Sequence, residues 1–135
     1  MDTDADKIAT ARKMIDAWNR LDWDLVIDLF AEDGSLHSMM EEKATVGRDE
    51  IGRRIRKLAE GATEVDIEVR TIGVIGGAVF TERVDRFVNN GNHGEVPVVG
   101  VLEIADGRVT SWREYYDRAT LLSGLGVERD FAHDL

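Results

Sequence analysis

Residues 65–77 of this chain read Val65-Asp66-Ile67-Glu68-Val69-Arg70-Thr71-Ile72-Gly73-Val74-Ile75-Gly76-Gly77. Apolar residues alternate here with polar ones at a period of two, which is typical of a β-strand, and the two glycines mark a tight turn. Three further strand-like stretches follow at 78–88, 96–105 and 108–116, separated by turns at 89–92 and at Asp106-Gly107. Four consecutive strands joined by tight turns predict an antiparallel meander.

The first third of the chain has helical periodicity instead. Apolar residues recur every three to four positions after the candidate caps Thr3 and Asp4, again after Asp22, and a third time from Ile51 to Leu58. A short strand is predicted at 35–40. This order predicts one α+β domain over residues 1–135, in which three N-terminal helices close the concave side of a cone-shaped, curved sheet over a deep pocket.

The composition of the chain argues against several classes of binding partner. The 135 residues carry a net charge of −10 and contain no cysteine, which argues against nucleic acid, an anionic membrane surface, disulfides and thiolate chemistry. A small uncharged substrate fits this charge better. The acidic N-terminus lacks the features of a signal peptide and no stretch of about 20 apolar residues exists, so we expect a cytoplasmic protein that does not enter a membrane.

Three charged residues are candidates for chemistry. Arg83 and Asp85 share one face of their strand, although the sequence alone leaves open which face is buried. Glu114 lies between Trp112 and Tyr116 on one face of the last strand, and a carboxylate there needs a partner, for which Arg83 is the candidate. An acid–Arg–acid cluster suits general acid and base catalysis, but a structural ion pair is the alternative.

Other sites have little support. His37, His93 and His133 do not have the spacing of metal ligands. Neither a phosphate-binding loop, a nucleophile elbow nor a dinucleotide fingerprint is present. We therefore expect no metal and no cofactor.

Several short motifs, taken together, resemble the limonene-1,2-epoxide hydrolase family of the NTF2-like, ketosteroid-isomerase-like superfamily. They are Phe30-Ala31-Glu32-Asp33, Gly47-Arg48-Asp49, Thr81-Glu82-Arg83-Val84-Asp85, Gly100-Val101, and Gly107 through Trp112-Arg113-Glu114-Tyr115-Tyr116-Asp117. The resemblance covers most of the chain. It implies a cone-shaped α+β barrel, a dimer formed through the sheet, and a one-step hydrolysis of epoxides without a cofactor or a covalent intermediate.

The resemblance also implies roles for the charged residues. Asp85 occupies the position of the acid that protonates the epoxide oxygen, and Glu114 that of the base that takes a proton from water. Arg83 matches the arginine between them. The family's base is usually aspartate, so Glu114 is one methylene longer.

A second departure concerns the water. The family positions it with a tyrosine and an asparagine two residues apart, where an ungapped match of this chain has Leu36 and Ser38. A shift by one residue offers His37 and Met39 instead. Either Ser38 or His37 holds the water, or the activity is lost or altered.

The leading prediction is an epoxide hydrolase that acts on a small apolar substrate, a terpenoid or lipid-like epoxide, and whose pocket binds the hydrocarbon part. The expected lining is Trp112, Tyr116, Phe87, Met39 and Leu36. A related isomerase or epoxide-opening cyclase and a non-catalytic binding domain remain as alternatives. The C-terminal apolar residues are expected either to cap the pocket or to cover a partner subunit, and they are Leu121, Leu122, Leu125, Val127 and Phe131.

Overall fold

The computed structural model describes residues 1–127, which contain four helices and six strands. In chain order these are α1 (Asp4–Asn19), α2 (Trp23–Asp28), β1 (Phe30–Ser38), β2 (Thr45–Val46), α3 (Arg48–Ala59), β3 (Ala62–Ile75), β4 (Ala78–Asn89), β5 (Asn92–Ala105), β6 (Arg108–Tyr116) and α4 (Arg118–Gly124). The predicted α+β class is confirmed.

All six strands belong to one curved, unclosed sheet in the order β2-β1-β6-β5-β4-β3. The four strands β3 to β6 form the predicted antiparallel meander. Strand β1 adds to β6 in parallel, which makes the sheet mixed. This parallel pairing brings the early segment of the chain beside the last strand, where Glu114 lies.

The meander depends on three two-residue turns whose backbones have positive φ at both positions. They are Gly76-Gly77 (φ 58° and 80°), Asn90-Gly91 (48° and 79°) and Asp106-Gly107 (53° and 73°). Glycine, asparagine and aspartate tolerate this conformation, and such turns match the twist of paired strands. Local sequence therefore sets the register of each hairpin.

Helices α1 and α2 begin where the sequence supplies side-chain caps, whereas α3 begins after Gly47 without one. Thr3 and Asp6 form a reciprocal capping box at the start of α1, and Asp22 accepts a hydrogen bond from the Leu25 N–H at the start of α2. In α3, Ile51 is buried as predicted, whereas Leu58, also expected to face inward, is 38% exposed. That inward prediction was wrong because the buried face of α3 ends one turn earlier.

The core lies between these helices and one face of the sheet. Its buried members come from α1, α2 and α3 and from β1, β4, β5 and β6. They include Met14, Val26, Phe30, Ile51, Ile55, Val79, Leu102, Val109 and Trp112. Arg48 ties α3 to the sheet because its Nε and Nη2 donate to the Phe30 carbonyl at 2.9 and 2.7 Å. The helices thus cover the inner face on which the candidate site lies.

Several elements differ from the predictions: β2 was not predicted, and β5 begins at Asn92 rather than at 96. Strand β1 begins at Phe30 rather than at 35, because α2 ends at its C-cap Leu29 and the next residue, Phe30, pairs in parallel with Val109. Helix α4 was not predicted; Asp117 caps it by accepting a hydrogen bond from the Thr120 N–H. This helix packs against β5. Phe131, predicted together with the leucines of this segment, lies outside the described residues.

Within residues 1–127, no helix is both long enough and apolar enough to cross a bilayer.

Candidate active site

Strand alternation and register bring three charged side chains together on the inner face. Arg83 and Asp85 lie on β4 and Glu114 on β6, so β5 separates them. Gly100 of β5 is the register partner of Glu114 on one side and of Thr81 on the other. A Cβ at Gly100 would overlap Arg83 Nη1 and Glu114 Oε2. Arg83 therefore reaches Glu114 across a strand position that has no side chain.

The Arg83 guanidinium binds both carboxylates through two of its edges. Its Nε and Nη2 donate to Asp85 Oδ1 and Oδ2 at 3.0 and 2.7 Å. Its Nη1 and Nη2 donate to Glu114 Oε2 and Oε1 at 3.0 and 2.7 Å. The side chain of Arg83 is 1% exposed, whereas those of Asp85 and Glu114 are 23% and 16% exposed. Bidentate pairing of this kind fixes the positions of both carboxylates.

Burial and neighbouring charges shift the pKa values of Arg83 and Glu114 from their ordinary values. Burial lowers the pKa of Arg83, but Glu114 and Asp85 outweigh this and raise it above the ordinary arginine value. Burial raises the pKa of Glu114, and Arg83 only partly opposes that effect. A single positive charge cannot neutralise two carboxylates, so the cluster favours one neutral and one ionised carboxyl group. This is the condition that paired acid and base catalysis requires.

The Arg83 guanidinium lies over the indole ring of Trp112. The Arg83 Cζ lies 5.9 Å from the centre of the indole ring. The ring stacks on Phe30 with centroids 6.1 Å apart and meets Trp18 edge-on at 6.2 Å. Trp112 is only 2% exposed and belongs to the hydrophobic core, against which Leu36 also packs. Both residues were predicted to line a pocket, but they pack mainly into the core because the parallel β1–β6 pairing places them side by side.

Ser38 and Tyr116 lie beside Glu114. Ser38 is the register partner of Glu114 across β1 and β6, is 6% exposed, and its Oγ lies 2.5 Å from the Tyr116 Oη. Tyr116 shares the face of Glu114 because the two are two residues apart on β6. These hydroxyl groups form a polar pair next to the carboxylate.

Of the two candidates for holding the water, Ser38 faces Glu114 and His37 does not. His37 is the register partner of Arg113, so it lies on the outer face of the sheet, and its Nε2 lies 2.9 Å from the Glu41 carbonyl oxygen. The expectation that His37 reaches the site is therefore wrong, because the register places every second residue of β1 inward. Met39 follows the end of β1, and its backbone N–H donates to the Glu114 carbonyl at 2.9 Å.

A cleft of about 690 Å³ opens at the end of the sheet beyond Asp85. Phe87, two residues after Asp85 on the same face of β4, lines it together with Leu21, Val65 and Gly94, and so do the charged residues Glu64, Asp66, Arg86 and Glu95. Helix α4 borders this region because Gly124 packs against Gly94 and Phe87. The lining of the cleft does not include Arg83, Asp85 or Glu114.

Residues 1–127 contain no cluster of three or more histidine or acidic side chains arranged to hold a metal ion. No role for the missing side chain of Gly100 followed from the sequence alone. A glycine within an apolar strand is a signal for close approach of another group, and here that group is the Arg83–Glu114 ion pair.

Known proteins share the sequence pattern and the fold of this chain. The sequence pattern of the limonene-1,2-epoxide hydrolase catalytic domain matches residues 5–126. The chain is 36% identical over 77 residues to epoxide hydrolase EphG of Mycobacterium tuberculosis; the aligned part is 55% of this chain and 52% of EphG, so the match spans about half of that relative.

Solved structures show the same fold. A limonene-epoxide-hydrolase-like epoxide hydrolase from M. tuberculosis superposes with a TM-score of 0.78 at 26% identity, covering 90% of each chain. A protein described as a SnoaL-like polyketide cyclase, from Shewanella putrefaciens, also has a TM-score of 0.78, at 19% identity over 89% of this chain and 96% of its own. The second likeness concerns the fold alone. With the family's pattern matched over nearly all the described residues, the chain belongs to the limonene-1,2-epoxide hydrolase family.

Proposed function

We propose that this protein is a cofactor-independent epoxide hydrolase that adds water to a small apolar epoxide, terpenoid or lipid-like, and releases a vicinal diol. The observation that carries this proposal is the binding of Asp85 and Glu114 by one buried guanidinium, that of Arg83. Family membership supports epoxide hydrolysis as the reaction class.

The proposed reaction takes one step. A water oxygen attacks a ring carbon, the bond from that carbon to the epoxide oxygen breaks, and its electron pair goes to that oxygen. Asp85 gives the oxygen its proton while Glu114 takes a proton from the attacking water. The two carboxyl groups exchange protonation states, and solvent protons then restore them. Arg83 stays charged throughout and stabilises whichever carboxylate is ionised.

Burial raises the pKa of Glu114, so this group has to lose its proton before it can act as the base. A carboxylate whose pKa is raised by burial binds a proton more tightly than an exposed one, so it is the stronger base once ionised. Its extra methylene compared with aspartate is accommodated because Gly100 leaves room for its Oε2. The longer side chain is therefore compatible with the bidentate contact to Arg83.

The Ser38 and Tyr116 hydroxyls are proposed to take part in holding the water. They lie beside Glu114 and bond to each other over 2.5 Å. One hydroxyl hydrogen is used in that bond, so the other hydrogen and free lone pairs are left for a water molecule. The apolar part of the substrate is proposed to extend past Asp85 toward Phe87 and the cleft.

The mutual hydrogen bond of Ser38 and Tyr116 also favours a second candidate, an isomerase or epoxide-opening cyclase. If the two hydroxyls satisfy only each other, a hydroxyl group of the substrate itself replaces water as the nucleophile. Asp85 and Glu114 would keep their roles as acid and base. The product then has the mass of the substrate.

The test is turnover of a panel of terpene and alkyl epoxides in oxygen-18 water, followed by mass spectrometry. Labelled diol is expected from the wild type, and an isomer of unchanged mass would support the cyclase instead. Glu114→Gln should lose about 10²-fold or more in kcat while still binding the product. Glu82→Gln is the matched control, because Glu82 lies on the opposite, exposed face of β4. Full turnover by the Glu114 variant would refute its role as base.

We also propose a homodimer through the outer face of the sheet. Val99 and Tyr115 are register partners on that face, and each is 42% exposed. Exposed apolar neighbours on a sheet face are typical of a protein–protein contact. A cytoplasmic location stays a prediction.

A further inference from the structure

The Arg83 guanidinium has a third partner besides the two carboxylates. It carries N–H hydrogens on Nε and on both Nη atoms, five in all. Four of them are donated to Asp85 and Glu114 in the two bidentate contacts. The fifth, on Nη1, is donated to the Thr81 Oγ1 at 3.3 Å. Thr81 therefore supplies the one acceptor of this arginine that is not a carboxylate.

The Thr81 hydroxyl is fixed as an acceptor toward Arg83. Its own hydrogen is donated to the Gly100 carbonyl oxygen at 3.2 Å, so a lone pair, and not the hydrogen, faces Nη1. Thr81 is 1% exposed, and its branched Cβ restricts rotation about χ1. A buried hydroxyl whose hydrogen is already used keeps a single orientation.

Strand pairing places Thr81 and Glu114 on opposite sides of the gap at Gly100. Gly100 of β5 is the register partner of Thr81 on β4 and of Glu114 on β6. The Arg83 Nη1 atom occupies this gap, at the place where a Cβ of residue 100 would be. It lies 3.3 Å from the Thr81 Oγ1 and 3.0 Å from the Glu114 Oε2. These two contacts hold Nη1 from both sides.

Loss of the Thr81 hydroxyl would affect the two acids unequally. Arg83 is 1% exposed, so water cannot replace the hydroxyl, and a buried N–H without an acceptor is unfavourable. The guanidinium would then turn to bring Nη1 toward another acceptor. Such a turn weakens the contact of Nη1 with Glu114. Asp85 is bound through Nε and Nη2 instead and does not depend on Nη1.

We propose that Thr81 is a positioning residue for the hydrolysis, whose hydroxyl keeps the Arg83 guanidinium directed at Glu114 so that the base stays in place for proton transfer from water. This inference rests on the proposed function. Thr81 acts through Arg83 and takes no part in the proton transfers. Its effect is on the base more than on the acid, because Nη1 is shared between Thr81 and Glu114.

The test replaces Thr81 with valine, which keeps the branched shape and removes the hydroxyl. Thr81→Val should lower kcat about 10-fold with a smaller change in KM, because a displaced base affects the transition state more than substrate binding. The acid limb of the pH–rate profile should move to higher pH, because Arg83 stabilises the ionised form of Glu114 less. The alkaline limb should stay in place, because Asp85 keeps its contacts with Nε and Nη2.

Two further variants separate positioning from packing. Thr81→Ser keeps the hydroxyl, so it should keep the acid limb in place and kcat within about threefold of the wild type. Thr110→Val is the matched control, because the Thr110 Oγ1 on β6 also donates to a carbonyl oxygen of β5, that of Glu103, at 3.1 Å. It should leave kcat and both limbs unchanged. If Thr81→Val loses stability but keeps the kcat and the acid limb of the wild type, Thr81 is purely structural and the proposal is refuted.

A second measurement needs no substrate and begins with the wild-type protein. NMR of nitrogen-15-labelled arginine side chains, with Arg83 identified by the loss of its signals in Arg83→Lys, should show separate and slowly exchanging Nη1 and Nη2 hydrogens. In Thr81→Val one Nη1 hydrogen should exchange faster with solvent, and in Thr81→Ser it should stay protected. A single averaged Nη signal in the wild type, or unchanged Nη1 exchange in Thr81→Val, would overturn the proposal.

The outcomes distinguish this inference from the proposed hydrolysis. If none of the epoxides is turned over, the hydrolysis fails, while the Nη1 signals still decide whether Thr81 holds Arg83. If diol forms but Thr81→Val keeps its kcat within about twofold of the wild type, the hydrolysis stands and the positioning role of Thr81 is refuted.

Discussion

Replacing Gly100 with alanine adds only one methyl group, but it should displace both Arg83 and Glu114 in the candidate site. A Cβ there would overlap Arg83 Nη1 and Glu114 Oε2 and would lie 3.0 Å from Thr81 Oγ1. The two charged groups would have to retreat by about 1 Å to reach van der Waals distance. Arg83 is 1% exposed and is also held by Asp85, so it cannot move without losing hydrogen bonds.

The expected loss in the free energy of unfolding follows from the hydrogen bonds that this movement weakens. Both hydrogen bonds between Arg83 and Glu114, now 3.0 and 2.7 Å long, would be weakened. Breaking a buried ion pair destabilises a protein by about 3–5 kcal/mol, and part of the pairing to Asp85 survives. We therefore expect a loss of about 2–4 kcal/mol in the free energy of unfolding. A displacement of about 1 Å in a catalytic group should lower kcat about 10²-fold.

Gly73→Ala provides the matched control. Gly73 also lies within a strand of the sheet, but a Cβ there would have no atom within 4 Å. Denaturant unfolding followed by tryptophan fluorescence, together with turnover of the best epoxide, measures both effects. Gly73→Ala should change stability by no more than about 0.5 kcal/mol. If Gly100→Ala were as stable and as active as Gly73→Ala, the Arg83–Glu114 contact would not have the importance inferred for it.

Two further predictions concern the charge of Glu114 and the outer face. Because the pKa of Glu114 is raised above its ordinary 4.5 in the folded chain, its contribution to stability is complete below that pH and is lost as the pH rises through the raised pKa. The free energy of unfolding should therefore fall as the pH rises from 4.5 through the raised pKa of Glu114, and it should not do so in Glu114→Gln. Over the same range kcat should rise as Glu114 ionises. A pH–rate profile that is flat there would contradict the role of Glu114 as the base. On the outer face, the wild type should sediment at twice its 15.1 kDa chain mass. Val99→Glu should shift it to the monomer, and a monomeric wild type would refute the proposed dimer.

Much of the site could be predicted from the order of residues along single strands. Alternation alone places Arg83 with Asp85 and Glu114 with Trp112 and Tyr116, because successive side chains of a strand point to opposite faces. Which face of β4 is buried could not be predicted, since Phe80, Glu82 and Val84 form a pattern as mixed as the other. The helices that pack on the inner face decide it.

The choice between Ser38 and His37 shows the same limit. Each was compatible with the sequence, because a shift of one residue exchanges the two faces of a strand. Parallel pairing of β1 with β6 pairs Ser38 with Glu114 and turns His37 outward. That pairing joins segments about 75 residues apart, and no local pattern encodes it.

Local sequence predicts the α+β class, the hairpin turns and the members of the charged cluster, because backbone conformation and side-chain alternation depend on neighbouring residues. The contact of Arg83 with Glu114 across Gly100, and the packing of Trp112 into the core, emerge only in the folded chain. Both depend on the register between strands and on the packing of helices over them, which are set by contacts between distant parts of the chain.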